Sequence, residues 1–416
     1  MKLVVVGCGQ GGSNIADEFV AMAQWVYKNR NIRLFTGSGK DPICKGVFAI
    51  NLGAGDLYQL KNIPHTDDHS ILLGTTDEFR GRGAGKVNAD GAEQARRGEK
   101  KIIRTIQDYG DVHSADAIMV IGTTAGGTGS GSVGVVCDLL KDKFNKPVYA
   151  MMVLPFKSQY NDPDSVVNTA TCLKKVLTNS KADAVFLIDN QKFVRENESM
   201  LFNYGEINRR IANSFMDILC VGEETDRKYI GEVLDANDLI RAFQGLIGIG
   251  QSIEEVPPKN KSGFFLDGKK KAQHFSVGKQ QIERAKSAVD QALKDLSIDC
   301  DYRESNKILY DADYVFGLFS GPSHEATEEI IEVMESSLAE SVPGASRRKG
   351  TYPGRSSNTI AITVILSGIG SGDTMNRVQW FYEEAEKMMS MVKEDREKRK
   401  QKWDEVSRSA QNLPDL

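Results

Sequence analysis

The stretch Gly122-Thr-Thr-Ala-Gly-Gly-Thr-Gly-Ser-Gly131 carries most of the information about the fold of this chain. It follows the apolar run at 117–121 and precedes a segment whose apolar residues have helical spacing. A strand, a glycine loop and a helix in this order present backbone N–H groups and a helix N-terminus to phosphate. Glycines also lack the Cβ atoms that would hold phosphate oxygens away from the backbone. We therefore predict a phosphate-binding loop here, in preference to a flexible linker. Its predicted contacts are Gly126, Gly127, Thr128, Gly129, Ser130 and Gly131.

The composition is that of a globular protein long enough for two or three domains. A formal net charge of −4 over 416 residues gives no globally basic surface, so we expect no binding to nucleic acid. Six cysteines without a C-x-x-C pair indicate reduced thiols, and the five scattered histidines have no metal-ligand spacing. No apolar run approaches the ~20 residues that span a bilayer. The first predicted strand begins too early to follow a signal peptide, so we expect a cytoplasmic protein.

The first half of the chain alternates short apolar runs with helical patterns. Continuous apolar runs separated by helices indicate a parallel sheet that is covered on both faces. The expected fold is therefore a doubly wound α/β domain with ligands at the carboxyl ends of its strands. The predicted strands are at residues 3–6, 47–50, 70–73, 117–121, 148–154 and 184–188.

A helical pattern at 202–221 divides the chain, and a second, smaller α/β region follows it. Its predicted strands are at 245–249, 314–319 and 359–366, and its predicted helices are at 279–296 and 325–338. The polar stretches 256–271 and 345–357 are predicted to be loops. Regular apolar spacing up to Val392 predicts a last helix, whose charged extension at 394–402 projects into solvent.

These patterns predict five parts of the chain. They are a ligand-binding domain at 1–200, a central helix at 201–222, a loop and the start of the next helix at 223–239, a smaller α/β domain at 240–376, and a C-terminal helix and tail at 377–416.

A second glycine loop, Gly7-Cys-Gly-Gln-Gly-Gly12, follows the first predicted strand and fits G-x-G-x-x-G. Dinucleotide-binding domains show the same pattern, so an NAD-dependent oxidoreductase is an alternative. That class places an acidic residue about 20 residues further on, at the end of the second strand. The apolar run at 32–35 has no acid at its end, which weighs against NAD.

The loop Gly126-Gly-Thr-Gly-Ser-Gly131 resembles the signature loop of the tubulin/FtsZ superfamily of GTPases, and it lacks the lysine of a Walker motif. Two further loops support the resemblance: Ala49-Ile-Asn51 with Asp56, and Gly81-Arg-Gly-Ala-Gly85 followed by Asn88 and Gly91-Ala-Glu93. This form is most similar to the archaeal CetZ branch. The resemblance implies a GTP-binding domain joined by the central helix to a smaller α/β domain.

The resemblance also implies roles for individual residues. Asn51 and Asp56 would lie near phosphate and magnesium, Asn88 near the γ-phosphate, and Gln10 near the metal-bound phosphates. The loops at 7–12 and 81–85 would contribute the contacts of Gly9, Gln10, Gly11, Gly12, Gly83, Ala84 and Gly85.

Base recognition would involve two asparagines, because an amide offers the donor and the acceptor that suit the guanine edge. Asn190 follows the strand at 184–188, where a strand-end cap is an alternative interpretation. Asn208 stands on the central helix, where a solvent-facing polar residue is the alternative. The ribose contact departs from the family. FtsZ-type chains have a glutamate shortly after the Pro-Phe that ends the fifth strand, whereas Pro155-Phe156 is followed here by Lys157, Ser158 and Gln159. Asp162 and Asp164, from a shifted loop, are the alternatives.

The segment Val233-Leu-Asp235-Ala-Asn-Asp238 resembles the loop that follows the central helix in this family. At the start of a helix, the spacing puts both carboxylates on one side. An N-cap and an acid at the helix dipole explain the same residues. The resemblance implies instead that Asp235 and Asp238 are catalytic and complete the nucleotide site of the next subunit. Val233 replaces a family asparagine, which would slow hydrolysis.

The resemblance implies a cytoskeletal GTPase that binds GTP with Mg²⁺ and assembles head-to-tail, with a role in cell shape or division. A non-hydrolysing GTP-binding scaffold is the main alternative, because Val233 and the missing ribose acid permit it. The sequence does not identify a membrane tether, since the last residues, 412–416, are too few to assign.

Overall fold

The structure is a computed structural model of the 416-residue chain. It describes residues 1–35, 46–75, 81–194, 200–220, 223, 234–256, 278–305, 307–322, 325–354 and 358–411. Val233 and the tail at 412–416 lie outside the described residues, as does most of the predicted loop at 256–271. None of the described helices combines the length and the hydrophobicity that crossing a bilayer requires.

The described residues form twelve strands, nine of which contain the apolar runs that the sequence analysis identified. They are β1 (Leu3–Cys8), β2 (Val47–Asn51), β3 (Ser70–Leu72), β4 (Ala117–Thr123), β5 (Val148–Leu154), β6 (Ala184–Asp189), β7 (Gly245–Glu255), β8 (Asp301–Glu304), β9 (Lys307–Tyr310), β10 (Tyr314–Pro322), β11 (Ser346–Gly354) and β12 (Thr359–Ile369). All nine predicted strands are confirmed.

The helices lie between these strands and after the last of them. They are α1 (Gly9–Arg30), α2 (Ala54–Tyr58), α3 (Asn88–Arg97), α4 (Glu99–Tyr109), α5 (Thr128–Lys143), α6 (Pro163–Asn179), α7 (Met200–Ser214), α8 (Met216–Cys220), α9 (Ala236–Ala242), α10 (Lys279–Lys294), α11 (Glu328–Ser341) and α12 (Asp373–Gln411).

Ten strands form one sheet in the order β11-β10-β12-β7-β6-β5-β4-β1-β2-β3. The strands from β1 to β6 pair in parallel, and each apolar run is buried on both faces of the sheet. The doubly wound fold is therefore confirmed. β7 pairs in parallel with the start of β6 and antiparallel with β12, so the C-terminal strands extend the same sheet. The sequence does not predict this continuity.

The central helical segment, α7 and α8, runs from the carboxyl ends of the strands to their amino ends. At its start, the ring of Tyr204 lies 5.3 Å from the ring of Phe156, which follows the carboxyl end of β5. At its far end, the amino nitrogen of Met1, which precedes β1, donates to the carbonyl of Leu219 at 2.8 Å. The segment that follows therefore leaves from the amino ends of the strands.

Two details of the predicted organisation are wrong. The stretch 345–357 contains β11, which pairs in parallel with β10 over nine residues, where a loop was predicted. Its polar residues, Arg347 and Arg348 among them, suit an edge strand, because charge there prevents pairing with other chains. The predicted helix at 202–221 is interrupted at Phe215, where α7 and α8 meet.

Candidate functional site

The N-termini of α1 and α5 converge at the carboxyl ends of β1 and β4. Gly9 has a φ of 69°, and a Cβ there would lie 2.6 Å from the backbone nitrogen of Gly129. Only glycine permits this approach. Neither helix has an acidic residue in its first turn. Two positive dipole ends with free N–H groups therefore face the same space, as an anion site requires.

The loop before α5 is held from behind by the segment that begins α3. A Cβ on Gly127 would lie 2.7 Å from the nitrogen of Val87. The side-chain amide of Asn88 donates to the Ser130 hydroxyl at 2.8 Å, and that hydroxyl donates to the carbonyl of Gly126. Asn88 and Ser130 thus shape the loop through their side chains. The backbone of the loop is left to contact a ligand.

An open space lies in front of these loops. A Cβ at Gly126, Gly83 or Gly85 would meet no protein atom within 4 Å. Gly83 and Gly85 have positive φ angles of 90° and 53°, which favour glycine. Gln10 is exposed at the first turn of α1. The predicted loops thus form a cradle with room for phosphate groups beside the two helix ends.

Asn51 and Asp56 lie together at the carboxyl end of β2. The amide nitrogen of Asn51 donates to the Asp56 carboxylate at 3.0 Å, while its oxygen accepts from the nitrogens of Leu52 and Gly53. Asn51 is buried and therefore orients Asp56, which is partly exposed. Within the described residues, no three acidic, histidine or cysteine side chains form a metal-binding group.

The loop at 81–87 is tied to its neighbours on both sides. The nitrogen of Ala54 donates to the carbonyl of Gly81 at 2.9 Å. On the other side, the amide of Asn168 donates to the carbonyls of Lys86 and Ala125 at 2.8 and 3.2 Å. Sequence analysis missed Asn168, because only the fold brings helix α6 against both glycine loops.

The two asparagines predicted to contact a base lie on neighbouring segments, Asn190 directly after β6 and Asn208 on α7. Asn190 follows β6, and the cap is made by the preceding residue, since the Asp189 carboxylate accepts from the Gln191 nitrogen at 3.0 Å. The side chain of Asn190 is therefore not required as the cap. Asn208 is partly exposed on α7, which fits both the predicted base contact and the alternative of a solvent-facing polar residue.

Tyr204 is a candidate that the sequence analysis missed. It precedes Asn208 by four residues, so both side chains lie on one face of α7. Its ring is 41% exposed and packs edge-on against Phe156. An exposed aromatic ring beside a polar amide suits a planar ligand. The four-residue spacing was the available signal.

An ion pair joins the loop after β5 to the loop at 81–87. The Asp162 carboxylate accepts from Lys86 Nζ at 2.8 Å and from the Ser165 hydroxyl at 2.7 Å. These hydrogen bonds lower the pKa of Asp162, and the bond to Asp162 raises the pKa of Lys86. The side-chain oxygen of Gln159 accepts a hydrogen bond from the nitrogen of Phe156 at 3.1 Å. Asp162 thus links the loop after β5 to the loop at 81–87, whereas Gln159 holds a turn within its own loop.

Asp235 and Asp238 lie away from this cradle. They begin α9, whose end leads into β7 at Gly245, and Gly245 pairs with Ala184 at the amino end of β6. Asp235 accepts from the nitrogen of Asp238 at 2.9 Å, and Asp238 accepts from the nitrogen of Asp235 at 3.2 Å. This reciprocal pair is a capping box. The predicted capping role is confirmed.

Among the described residues, the buried thiols do not compete as nucleophiles. The described cysteines Cys8, Cys137, Cys172, Cys220 and Cys300 are free and buried. Burial raises the pKa of Cys8, which precedes α1, to about 12. This thiol therefore stays protonated near neutral pH.

Comparisons with known proteins agree with this geometry. The sequence model of the tubulin/FtsZ family GTPase domain matches residues 2–198, and that of the tubulin-like CetZ C-terminal domain matches residues 197–387. The tubulin-like protein CetZ1 of Haloferax volcanii is 27% identical over 404 residues, which are 95% of each chain.

Two solved structures from Haloferax volcanii share the fold. The GDP-bound monomer of CetZ1 matches with a TM-score of 0.72 at 25% identity, covering 93% of this chain and 100% of that one. The GTPγS-bound protofilament of CetZ2 matches with a TM-score of 0.73 at 22% identity, covering 94% and 100%. Both domains and the shared sheet are thus accounted for, and the chain belongs to the tubulin/FtsZ superfamily as a CetZ-like member.

Proposed function

We propose that this chain binds GTP with Mg²⁺ and assembles head-to-tail into filaments that hydrolyse GTP between subunits. The observation that carries the proposal is the approach of Gly9 to Gly129, which directs two helix N-termini at one cradle. Phosphate groups suit this site because backbone N–H groups and helix dipoles both favour negative charge. GDP and GTPγS in the two CetZ structures support a guanine nucleotide.

The loops divide the nucleotide among them. The backbone N–H groups of the loops at 7–12 and 126–131 bind the phosphates, and the loop at 81–87 contacts the γ-phosphate. Asn190 and Asn208 contact the base edge, and Tyr204 packs on the base plane. The Gln10 amide would help to hold the metal-bound phosphates, and the Asp56 carboxylate would lie on the side of the Mg²⁺. Bound Mg²⁺ supplies positive charge that offsets the charge developing on the phosphate oxygens.

Hydrolysis requires a second copy of the chain. Asp235 and Asp238 lie on the side of the amino ends of the strands, whereas the cradle lies at the carboxyl ends. Each carboxylate uses one oxygen for capping, so its other oxygen can accept a hydrogen bond from a water. In a filament, the two acids would orient that water for in-line attack on the γ-phosphate bound to the neighbouring subunit. Such a head-to-tail contact does not close on itself, so filaments follow.

A second function is favoured by the capping box itself. Reciprocal bonds between Asp235 and Asp238 account for both acids without any catalysis. On this interpretation the chain is a non-hydrolysing GTP-binding scaffold of a tubulin-like filament. In either form, the filament would serve cell shape or division.

Nucleotide binding is tested by equilibrium titration with GTP, ATP and NAD in the presence of Mg²⁺. We expect GTP to bind and to raise the melting temperature, with ATP and NAD much weaker. Gly127→Val is the matched variant, because its side chain would strike the nitrogen of Val87 and displace the loop. Unchanged GTP affinity in that variant would contradict the cradle.

A further inference from the structure

Four charged side chains alternate in sign between the two domains. Arg377, near the start of α12, donates to Asp189 through one guanidinium nitrogen and to Asp299 through the other, the latter at 3.2 Å. Lys192 donates to the second oxygen of Asp299 at 2.5 Å. Asp189 and Lys192 belong to the GTPase domain, whereas Asp299 and Arg377 belong to the C-terminal domain. The set therefore joins the two domains by ion pairs.

This network is partly shielded from solvent, and Lys192 and Asp299 are 20% and 30% exposed. Asp189 is buried, and Arg377 is 21% exposed. Burial alone would raise the pKa of Asp299, but the hydrogen bond from Lys192 and the charges of Lys192 and Arg377 hold it below its ordinary value. Buried charges are stable only when they are paired, so removal of one member leaves its partner exposed to a large desolvation penalty. The positions of these four residues are thus mutually dependent.

The buried end of this network is the residue before a proposed base contact. Asp189 ends β6, and the carboxylate oxygen that does not bond Arg377 accepts a hydrogen bond from the nitrogen of Gln191 at 3.0 Å. Gln191 in turn accepts from the nitrogen of Lys157, in the loop after β5, at 3.3 Å. Asn190 lies between these bonded residues. Arg377 therefore fixes the turn that carries Asn190.

The same part of α12 also holds the loop after β5 through aromatic contacts. The ring of Tyr160 lies 5.0 Å from Trp380 and 5.3 Å from Phe381. Phe381 is buried, and helices α12 and α6 pack along one another. Two loops at the nucleotide edge thus rest on the first turns of one C-terminal helix.

We propose that Arg377 is a positioning residue for guanine recognition, and that it couples nucleotide affinity to the docking of α12 on the GTPase domain. This inference rests on the proposed binding of GTP. Binding of a guanine nucleotide would stabilise the docked α12, and by thermodynamic reciprocity displacement of α12 would weaken binding. The C-terminal helix thereby becomes a place where a change at the surface can alter the nucleotide site.

The test compares Arg377→Gln with Arg284→Gln in the full chain. Arg284 forms a buried ion pair with Glu325 at 3.2 Å inside the C-terminal domain, so its loss controls for general destabilisation. We expect Arg377→Gln to weaken GTP binding about tenfold, which is typical of coupling between sites. The ratio of GTP to ITP affinity should also fall, because ITP lacks the 2-amino group that a positioned amide recognises. Arg284→Gln should change neither quantity by more than about twofold.

A second readout needs no nucleotide. Hydrogen exchange at the Gln191 amide should be faster in Arg377→Gln than in Arg284→Gln, because Asp189 loses the partner that orients it. If Arg377→Gln does not fold, Asp299→Asn replaces it and should shift both readouts in the same direction. Wild-type affinity ratio and unchanged exchange in the tested variant would overturn the inference. Failure of the unaltered chain to bind GTP would instead remove the proposed function. Hydrogen exchange at Gln191 would then decide only whether Arg377 positions the turn after β6.

Discussion

The capping box at the start of α9 allows the two proposed roles of Asp235 to be separated. The backbone of Asp235 is extended, with φ −104° and ψ 170°, and the Asp235 carboxylate accepts a hydrogen bond from the nitrogen of Asp238 at 2.9 Å. A serine hydroxyl at this position can accept the same bond, whereas an alanine cannot. Asp235→Ser therefore removes the carboxylate and keeps the cap, and Asp235→Ala removes both.

The magnitudes follow from these two differences. The cap is solvent-exposed, so its loss in Asp235→Ala should cost about 1 kcal/mol of local helix stability. That corresponds to about fivefold faster exchange of the Asp238 amide, with little change in Asp235→Ser. Loss of a group that polarises water should lower GTP hydrolysis by about 10²-fold or more in both variants.

The assay is hydrolysis per subunit in pelleted filaments, with hydrogen exchange of the soluble protein measured in parallel. The account predicts that Asp235→Ser loses turnover while the Asp238 amide exchanges as in the unaltered chain. Wild-type turnover in Asp235→Ser would show that the residue acts only as a cap. The non-hydrolysing scaffold would gain support if the unaltered chain also binds GTP without turnover.

Three further changes test other parts of the site. Gly127→Ala places a methyl group 2.7 Å from the Val87 nitrogen, so it should lower the free energy of unfolding by about 1–3 kcal/mol in a denaturant titration. Gly126→Ala places its methyl group in open space and should not change this free energy. Equal losses in the two variants would contradict the packing. Tyr204→Ala should weaken GTP binding by about 1 kcal/mol in calorimetry, and Tyr204→Phe should retain it; equal affinity in all three proteins would exclude stacking. Because the pKa of Asp162 is lowered in the folded state, its pair with Lys86 stabilises the fold above the ordinary aspartate pKa, and this contribution is lost as the pH falls through the folded value. Acid unfolding should therefore begin at higher pH in Asp162→Asn than in the unaltered chain, and coincident acid transitions would contradict this.

The sequence predicts the parts of the fold whose cause is local. The strands β1 to β6 are continuous apolar runs because both of their faces are buried, so their pattern alone identifies them. β11 was missed because an edge strand with polar residues has no apolar pattern, and only its pairing with β10 reveals it. The small β8–β9 hairpin was missed for a similar reason, since its residues are mostly exposed.

The same distinction holds for the candidate site. Gly9 and Gly127 could be predicted because close backbone approach demands glycine, and the demand is visible as a motif. Asn168 and Arg377 could not, because each acts on segments far away in the sequence. Their roles depend on where α6 and α12 pack, which no local pattern specifies. Asp235 lies between these cases, since the spacing to Asp238 predicted the cap but leaves catalysis to experiment.

The central claim is that the cradle and the acids Asp235 and Asp238 act together only across two subunits. It is tested most directly by GTP hydrolysis per molecule measured against protein concentration, with Mg²⁺, alongside sedimentation. The account predicts negligible turnover below a critical concentration and a rate that rises together with the pelleted fraction. A rate that is independent of concentration, in protein that does not pellet, would contradict it.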